Sequence, residues 1–231
     1  MARFFHYTLR TTDVPAARAF YAAVLGDSEA DIVPLHEQAL ARGARPHWLG
    51  FIEVAEVEAA AAAFTEHGAS ALGPKWINPQ GLEAAVMRDP GGALVALAKS
   101  PPSARLPHPE VIWHQLNTAG VERVQASYAA LLGWDFKESF ELPGVGPLHP
   151  FAWQPGGQVV GSMSDVAGRP GVHTHWLFHF RVPALEPALE AVRAAGGLAL
   201  PALTLPNGDR VAACDDAQGA AFALFEQRAA R

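Results

Sequence analysis

Three histidines with strand-like spacing are the first residues of this sequence that could do chemistry. His173, His175 and His179 in VHTHWLFHFRV all have odd residue numbers, and alternate residues of a β-strand share one face. On a strand His173 and His175 would be about 6.6 Å apart and could share a metal ion, whereas His179 would lie about 13 Å from His175. The stretch indicates either a metal centre or a polar lining that holds no metal.

A second set of candidates alternates on strand-like runs earlier in the chain. Trp113, Gln115 and Asn117 fall on one face of VIWHQLNT, and Trp153 shares a face with Phe151 in a later run. An aromatic ring with a few uncharged hydrogen-bonding groups is typical of a small-molecule pocket. The alternative is a strand edge that simply contacts solvent. The candidate ligand-binding residues are Trp113, Gln115, Asn117, Trp153, His175 and His179.

Composition and charge argue against several function classes. Of the 231 residues, 50% are hydrophobic and 17% are charged, which is typical of a folded protein with a sizeable core. The formal net charge of −6 argues against nucleic acid and anionic membranes as partners, because both are recognised by clustered Lys and Arg. The single cysteine, Cys214, excludes an intrachain disulfide, and the first residues contain no apolar stretch long enough for a signal peptide or a membrane span. We therefore expect a cytoplasmic monomer or homodimer whose partner is a small-molecule ligand.

The chain contains an internal repeat. DVPAARAFYAAVLG from Asp13 matches GVERVQASYAALLG from Gly120 at an offset of 107. HWLGFIEV from His47 matches HWLFHFRV from His175 at an offset of 128, and DPGGALVAL matches DAQGAAFAL at 127. The chain is therefore a duplication. Because the offset rises from 107 to 128, the second copy holds 21 more residues between its first helix and its HWL strand.

Each copy repeats a smaller pattern twice. A strand-like run is followed by a helix with apolar residues three and four apart, then by glycine and short strands. Asp13 is a predicted N-cap and Gly26 a predicted stop for the first helix. The Pro-rich SPPSARLPH predicts a linker over 101–108, between a first domain over 1–100 and a second over 109–231. These patterns predict an α+β fold of four strand–helix–strands modules.

The repeated phrases resemble the vicinal oxygen chelate superfamily, which includes glyoxalase I, extradiol dioxygenases and bleomycin-resistance proteins. The resemblance is carried by HYTLRTTDVPAARAFYAAVLG, WHQLNTAGVERVQASYAALLGW, HWLFHFRVPALEPALEAVRAAGG and DAQGAAFALFE, which together span nearly the whole chain. It is greatest to the two-domain glyoxalase-like branch. The resemblance implies that βαβββ modules pair in two domains, each with a curved mixed sheet, outer helices and a ligand on the concave face.

The resemblance also implies where metal ligands would stand. Members that bind a metal use His or Gln on the first strand of a module, about seven residues before the residue that starts the helix. They use Glu on the last strand, about seven residues after the Asp of the turn. The matching positions here hold His6, Leu49 and Ala96 in the first copy and Trp113, Leu177 and Ala223 in the second.

These positions lead us to expect no metal and no other cofactor. The favoured hypothesis is a metal-independent glyoxalase-like protein that binds a small, partly aromatic molecule in the cleft of the second domain. It would sequester that molecule or carry out histidine-assisted acid–base chemistry on it. The alternatives are a metal-dependent lyase or dioxygenase, with His173 and His175 as ligands, and an interaction module without enzymatic activity. Whether the protein is an enzyme stays open.

The unequal lengths of the copies predict where the ligand binds. The 21 additional residues are enough for a hairpin of two strands, within GWDFKESFELPGVGPLHPFAWQPGGQVVGSM. We expect this hairpin to add a wall to the cleft of the second domain, with Trp153 facing the ligand. In the first copy, DSEADIVPLHEQALARGARP is too short for three strands, so we expect a degenerate first module and a shallow cleft.

Overall fold

Residues of alternating polarity form the strands of this protein, and apolar residues three and four apart form its helices. The computed structural model describes residues 1–26, 30–78, 81–99 and 110–228. The fold is α+β, with two curved mixed sheets and few helices, as predicted. The predicted linker over 101–108 lies outside the described residues.

The first copy contains one sheet of seven strands among the described residues. Its elements are β1 (Phe4–Thr11), α1 (Val14–Leu25), β2 (Asp31–Pro34), α2 (Glu37–Ala41), β3 (His47–Glu53), α3 (Val57–Glu66), β4 (Ser70–Ala71), β5 (Trp76–Ile77), β6 (Glu83–Arg88) and β7 (Leu94–Lys99). The strand order is β2-β1-β3-β7-β6-β4, and β5 pairs with β6. The β1–β2 and β3–β7 pairs are parallel, and the β6–β7 pair is antiparallel.

The second copy contains one sheet of ten strands among the described residues. Its elements are β8 (Val111–Asn117), α4 (Val121–Leu132), β9 (Asp135–Phe136), β10 (Phe140–Leu142), β11 (Gly146–Ala152), β12 (Val159–Ser164), β13 (His175–Arg181), α5 (Leu185–Ala194), β14 (Leu198–Ala199), β15 (Leu203–Thr204), β16 (Arg210–Asp215) and β17 (Ala221–Glu226). The strand order is β10-β11-β12-β8-β13-β17-β16-β14, with β15 on β16 and β9 on β11.

The 21-residue difference falls where the sequence predicts it. After α1 the described part of the first module contains β2 and the short helix α2, whereas β9 to β12 follow α4. The strands β10 and β11 form the predicted hairpin, with Leu142 paired to Gly146. The predicted caps of α1 are also present, because the Asp13 carboxylate accepts from the Ala16 amide at 3.0 Å and Gly26 has a φ of 72°.

The described residues cluster into two compact units that do not follow the order of the copies. One unit consists of residues 1–6, 50–99 and 114–176, and the other of residues 7–49, 110–113 and 177–228. Each unit therefore takes segments from both copies. The division into domains over 1–100 and 109–231 remains a prediction.

Each unit contains the same buried contact among a tyrosine, an aspartate and a tryptophan. In the first unit the Tyr128 hydroxyl donates to Asp89 at 3.1 Å and accepts from the Trp176 indole at 3.3 Å. In the second unit the Tyr21 hydroxyl donates to Asp216 at 3.2 Å, and the Trp48 indole donates to it at 2.9 Å. The HWL and Asp–turn repeats thus have a structural function: they join a helix and a strand of one copy to a turn of the other.

Cys214 is buried, and burial raises the pKa of its thiol to about 12, so it is the inert core thiol that its strand position suggests.

Among the described residues, every helix is too short or too polar to cross a membrane.

Candidate functional site

The tryptophan of the second HWL strand determines which way the neighbouring histidine points. Trp176 contacts Tyr128 of α4, so it lies on the face of the sheet that the helix covers. His175 precedes it and lies on the opposite face, because successive strand residues alternate. We call the face opposite to the helices the inner face. On β8 the inner-face residues of this unit are Gln115 and Asn117, since His114 stacks with Phe4 on the covered side.

A polar cluster occupies the inner face of the first unit. The Asn117 Oδ1 accepts from Gln115 Nε2 at 2.8 Å and from Ser164 Oγ at 3.3 Å. The Asn117 Nδ2 lies 3.4 Å from His175 Nε2. The structure thus brings together three of the residues that the sequence singles out, Gln115, Asn117 and His175. Asn117 and Ser164 are buried, whereas Gln115 and His175 are half-buried.

The hydrogen bonds of His175 define its protonation. Its Nδ1 lies 2.8 Å from the carbonyl oxygen of His173, which can act as an acceptor alone, so Nδ1 carries the proton. Its Nε2 then presents a lone pair towards the Asn117 amide. The pKa of His175 is lowered to about 4, mainly by burial; the hydrogen bond to the His173 carbonyl opposes this shift and the electrostatic effect of the His173 ring adds to it. The imidazole is therefore neutral at physiological pH.

A buried serine beside this cluster was missed by the sequence reasoning. Ser162 pairs with Gln115 across the parallel strands β8 and β12 and is fully buried. Within the described part of the chain its Oγ has no hydrogen-bond partner. An unsatisfied buried hydroxyl is costly, so it marks a place where a ligand atom or a water is expected to bind. The alternation of Ser162 and Ser164 in VVGSMS is the sequence signal that could have revealed it.

The structure does not bring Trp153 to this cluster. Its ring lies 5.0 Å from that of His114 and 4.8 Å from that of Trp134, on the face that the helix covers. The reason lies in the hairpin: Phe151 pairs with Gly161 and its ring fills the space that the glycine leaves. This fixes Phe151, stacked on Trp134, on the covered face. The wall that we expected from Trp153 is therefore part of the aromatic core.

The two remaining predicted site residues belong to the other unit. Trp113 is half-buried near the start of β8. His179 is buried, and its ring lies 6.2 Å from that of Phe225. Both stand at strand positions that alternation assigns to the inner face, but neither is part of the cluster around Asn117. Their roles in ligand binding remain predictions.

The resemblance implies certain strand positions for metal ligands. In this chain those positions lack a full set of side chains that could bind a metal. These positions hold His6, Leu49 and Ala96 in the first copy and Trp113, Leu177 and Ala223 in the second, and all of them lie in strands. Leucine and alanine side chains have no donor atom for a metal. Among the residues that the structure describes, no group of three or more His, Cys, Asp or Glu side chains could hold an ion. The residues at these positions therefore do not fit the metal that the resemblance implies.

Comparisons with known proteins agree with this fold. No family model matches the chain. The chain is 27% identical to the protein named Putative glyoxylase CFP32 of Mycobacterium bovis and Mycobacterium tuberculosis, over 94% of this chain and 92% of that protein.

Two solved structures have the same fold at low sequence identity. Homoprotocatechuate 2,3-dioxygenase of Brevibacterium fuscum has a TM-score of 0.66 and 14% identity, over 98% of this chain and 81% of that one. The Mn(II)-bound glyoxalase of Novosphingobium aromaticivorans has a TM-score of 0.61 and 12% identity, over 97% and 81%. Taken with the repeats and the two curved sheets, these similarities show that the chain has the fold of the vicinal oxygen chelate superfamily, as the sequence predicts.

Proposed function

We propose that this protein is a metal-independent member of the vicinal oxygen chelate superfamily. It binds a small, partly aromatic molecule on the inner face of the second copy's sheet. The observation that carries the proposal is the cluster of Gln115, Asn117 and His175, with the unsatisfied hydroxyl of Ser162 beside it. These are uncharged hydrogen-bonding groups gathered in one place, as small-molecule sites typically have. They suit a ligand with hydroxyl, carbonyl or amide groups.

The state of His175 favours binding over acid–base chemistry. A general base works best when its pKa lies near the working pH. With a pKa of about 4, His175 is a weak base at neutral pH and stays neutral when a ligand enters. Its Nε2 can then accept a hydrogen bond from a ligand hydroxyl, in place of the long contact with Asn117. This supports sequestration or positioning of the ligand as the function of the site.

The alternative is a metal-dependent lyase or dioxygenase. The similar solved structures are a dioxygenase and a Mn(II)-bound glyoxalase. The specific observation in its favour is that the rings of His173 and His175 lie 4.5 Å apart, which is close enough to approach one ion. Against it stands the absence, within the described residues, of any third His, Cys, Asp or Glu side chain to complete a ligand set.

Binding of simple aromatic probes tests the proposed site. Phenol, benzamide and catechol can be screened by saturation-transfer NMR, followed by titration of any that binds. Gln115→Leu removes the amide on the inner face and is expected to weaken binding about tenfold or more, as the loss of a hydrogen bond to a buried group does. Thr8→Val, the equivalent position of the first copy, is the matched control and should leave binding unchanged. Equal effects of the two substitutions would contradict the assignment.

Elemental analysis of the purified protein separates the two hypotheses. We expect zinc, iron and manganese well below one equivalent. Near-stoichiometric metal that is lost in a His173→Ala, His175→Ala double variant would establish the metal-dependent alternative instead.

A further inference from the structure

The first copy contains a charged counterpart of the cluster described above. At the repeat offset of 107, Thr8 and Arg10 correspond to Gln115 and Asn117, and at the offset of 128 His47 corresponds to His175. On the covered side, Trp48 contacts Tyr21 of α1 and Tyr7 contacts Phe178. Strand alternation therefore puts Thr8, Arg10 and His47 on the inner face. The same three positions are thus occupied in both copies, with a guanidinium where the second copy has an amide.

The two histidines are held in the same way. His47 Nδ1 lies 2.7 Å from the carbonyl oxygen of Arg45, as His175 Nδ1 does from that of His173. His47 and Arg10 stand on the neighbouring strands β3 and β1. Burial lowers the pKa of His47, and the charge of Arg10 lowers it as well. His47 is therefore neutral, and Arg10 is the cation of this pair.

Arg10 lacks the partners that its counterpart has. Ser164, which donates to Asn117, is paired with it across β8 and β12, whereas the residue paired with Arg10 across β1 and β2 is Val33, whose side chain has no acceptor. Within the described part of the chain the Arg10 guanidinium makes no hydrogen bond or ion pair, and its Nε is inaccessible to solvent without a partner.

A half-buried guanidinium without acceptors is costly. Burial lowers the pKa of Arg10, and the carboxylate of Asp31 opposes this from nearby. Asp31 accepts from the Thr8 hydroxyl at 3.1 Å. Its charge stabilises Arg10 at a distance but leaves the N–H groups of the guanidinium available. Planar carboxylates match these groups with two parallel hydrogen bonds.

We infer that Arg10 of the first copy binds a small carboxylate on the inner face of β1, at a site separate from the one proposed for the second copy. The ligand's oxygens accept from the guanidinium, and the neutral His47 and the apolar Val33 border the site. The duplicated position has therefore diverged by charge: an uncharged ligand group faces Asn117, and an anionic one faces Arg10.

The side-chain resonance of Arg10 Nε gives a direct test. In ¹⁵N-labelled protein at constant ionic strength, acetate should shift this resonance in a saturable way, whereas chloride should not. Arg10→Gln is expected to weaken acetate binding, detected through backbone amides of β1, about tenfold or more. Arg10→Lys should bind in between, because it keeps the charge but not the planar fork. Arg88→Gln is the matched control, since the exposed Arg88 already donates to the Gly92 carbonyl, and it should bind acetate normally.

Stability distinguishes ligand binding from a purely structural role. If Arg10 serves a ligand, Arg10→Gln leaves the Tm of the free protein unchanged or raises it, because a half-buried cation with an unsatisfied Nε is removed. A marked fall in Tm, unchanged acetate binding by Arg10→Gln, or no saturable shift in the parent protein would each overturn the inference. Tighter binding of inorganic phosphate than of acetate would overturn the carboxylate assignment.

Discussion

At the scale of single residues, the protonation of His175 is the feature with the clearest consequence. The ordinary pKa of a histidine is 6.5, and burial lowers that of His175 to about 4. Between these values the unfolded chain binds a proton at this residue that the folded chain does not. The contribution of His175 to the free energy of unfolding therefore falls as the pH falls from 6.5 to 4.

Substitution of His175 should reduce this pH dependence. The contribution of His175 cannot exceed about 1.4 kcal/mol per pH unit, the value for one proton. Urea unfolding of the parent protein and of His175→Gln, measured at several pH values from 4 to 7, gives the difference between the two slopes. We expect the variant to lose less stability on acidification, because the other titrating groups are common to both proteins. Parallel curves would show that His175 titrates normally in the folded state.

At the scale of elements, the hairpin depends on a single glycine. Gly161 of β12 lies against the His114 carbonyl oxygen and the Phe151 ring, so an added Cβ would lie 2.2 Å and 2.5 Å from them. The carbonyl belongs to a paired strand and the ring to a packed aromatic cluster, so neither can move freely. This contact explains why β11 places its aromatic residues on the covered face.

Gly161→Ala should therefore destabilise the protein by about 1–3 kcal/mol or more, as overpacking of a core does. The urea midpoint of unfolding measures the change. Gly168→Ala is the matched control, because an added Cβ there meets nothing within 4 Å, and it should change stability by less than about 0.5 kcal/mol. Similar effects at the two glycines would contradict the packing that we describe.

At the scale of the whole molecule, the two copies are interdependent. Tyr21 of α1 contacts Asp216, 195 residues later, and Thr11 donates to Gln218 at 2.7 Å. The ring of Phe20 lies 6.0 Å from that of Phe222. The apolar face of α1 is thus covered by segments of the second copy. A fragment that ends after the first copy would expose it to solvent.

We expect the separate fragments 1–100 and 109–231 to fail to fold alone and to recover structure when mixed. Circular dichroism during heating should show no cooperative transition for fragment 1–100, and a transition should return in an equimolar mixture. A sharp transition of fragment 1–100 by itself would show instead that the first copy is an independent domain.

The sequence by itself determined the duplication, the module pattern and the α+β class, because these depend on local periodicity and on repeated phrases such as HWL. It also indicated Gln115, Asn117 and His175, since strand alternation places residues on one face without knowledge of the partners. Only the tertiary structure decided which face the inserted hairpin presents. Trp153 and Phe151 lie in the core because β11 pairs with β12 at Gly161, a register that no local pattern specifies. The role of the retained tryptophans and aspartates likewise could not be assigned from the sequence, because each tyrosine joins a tryptophan of its own copy to an aspartate of the other.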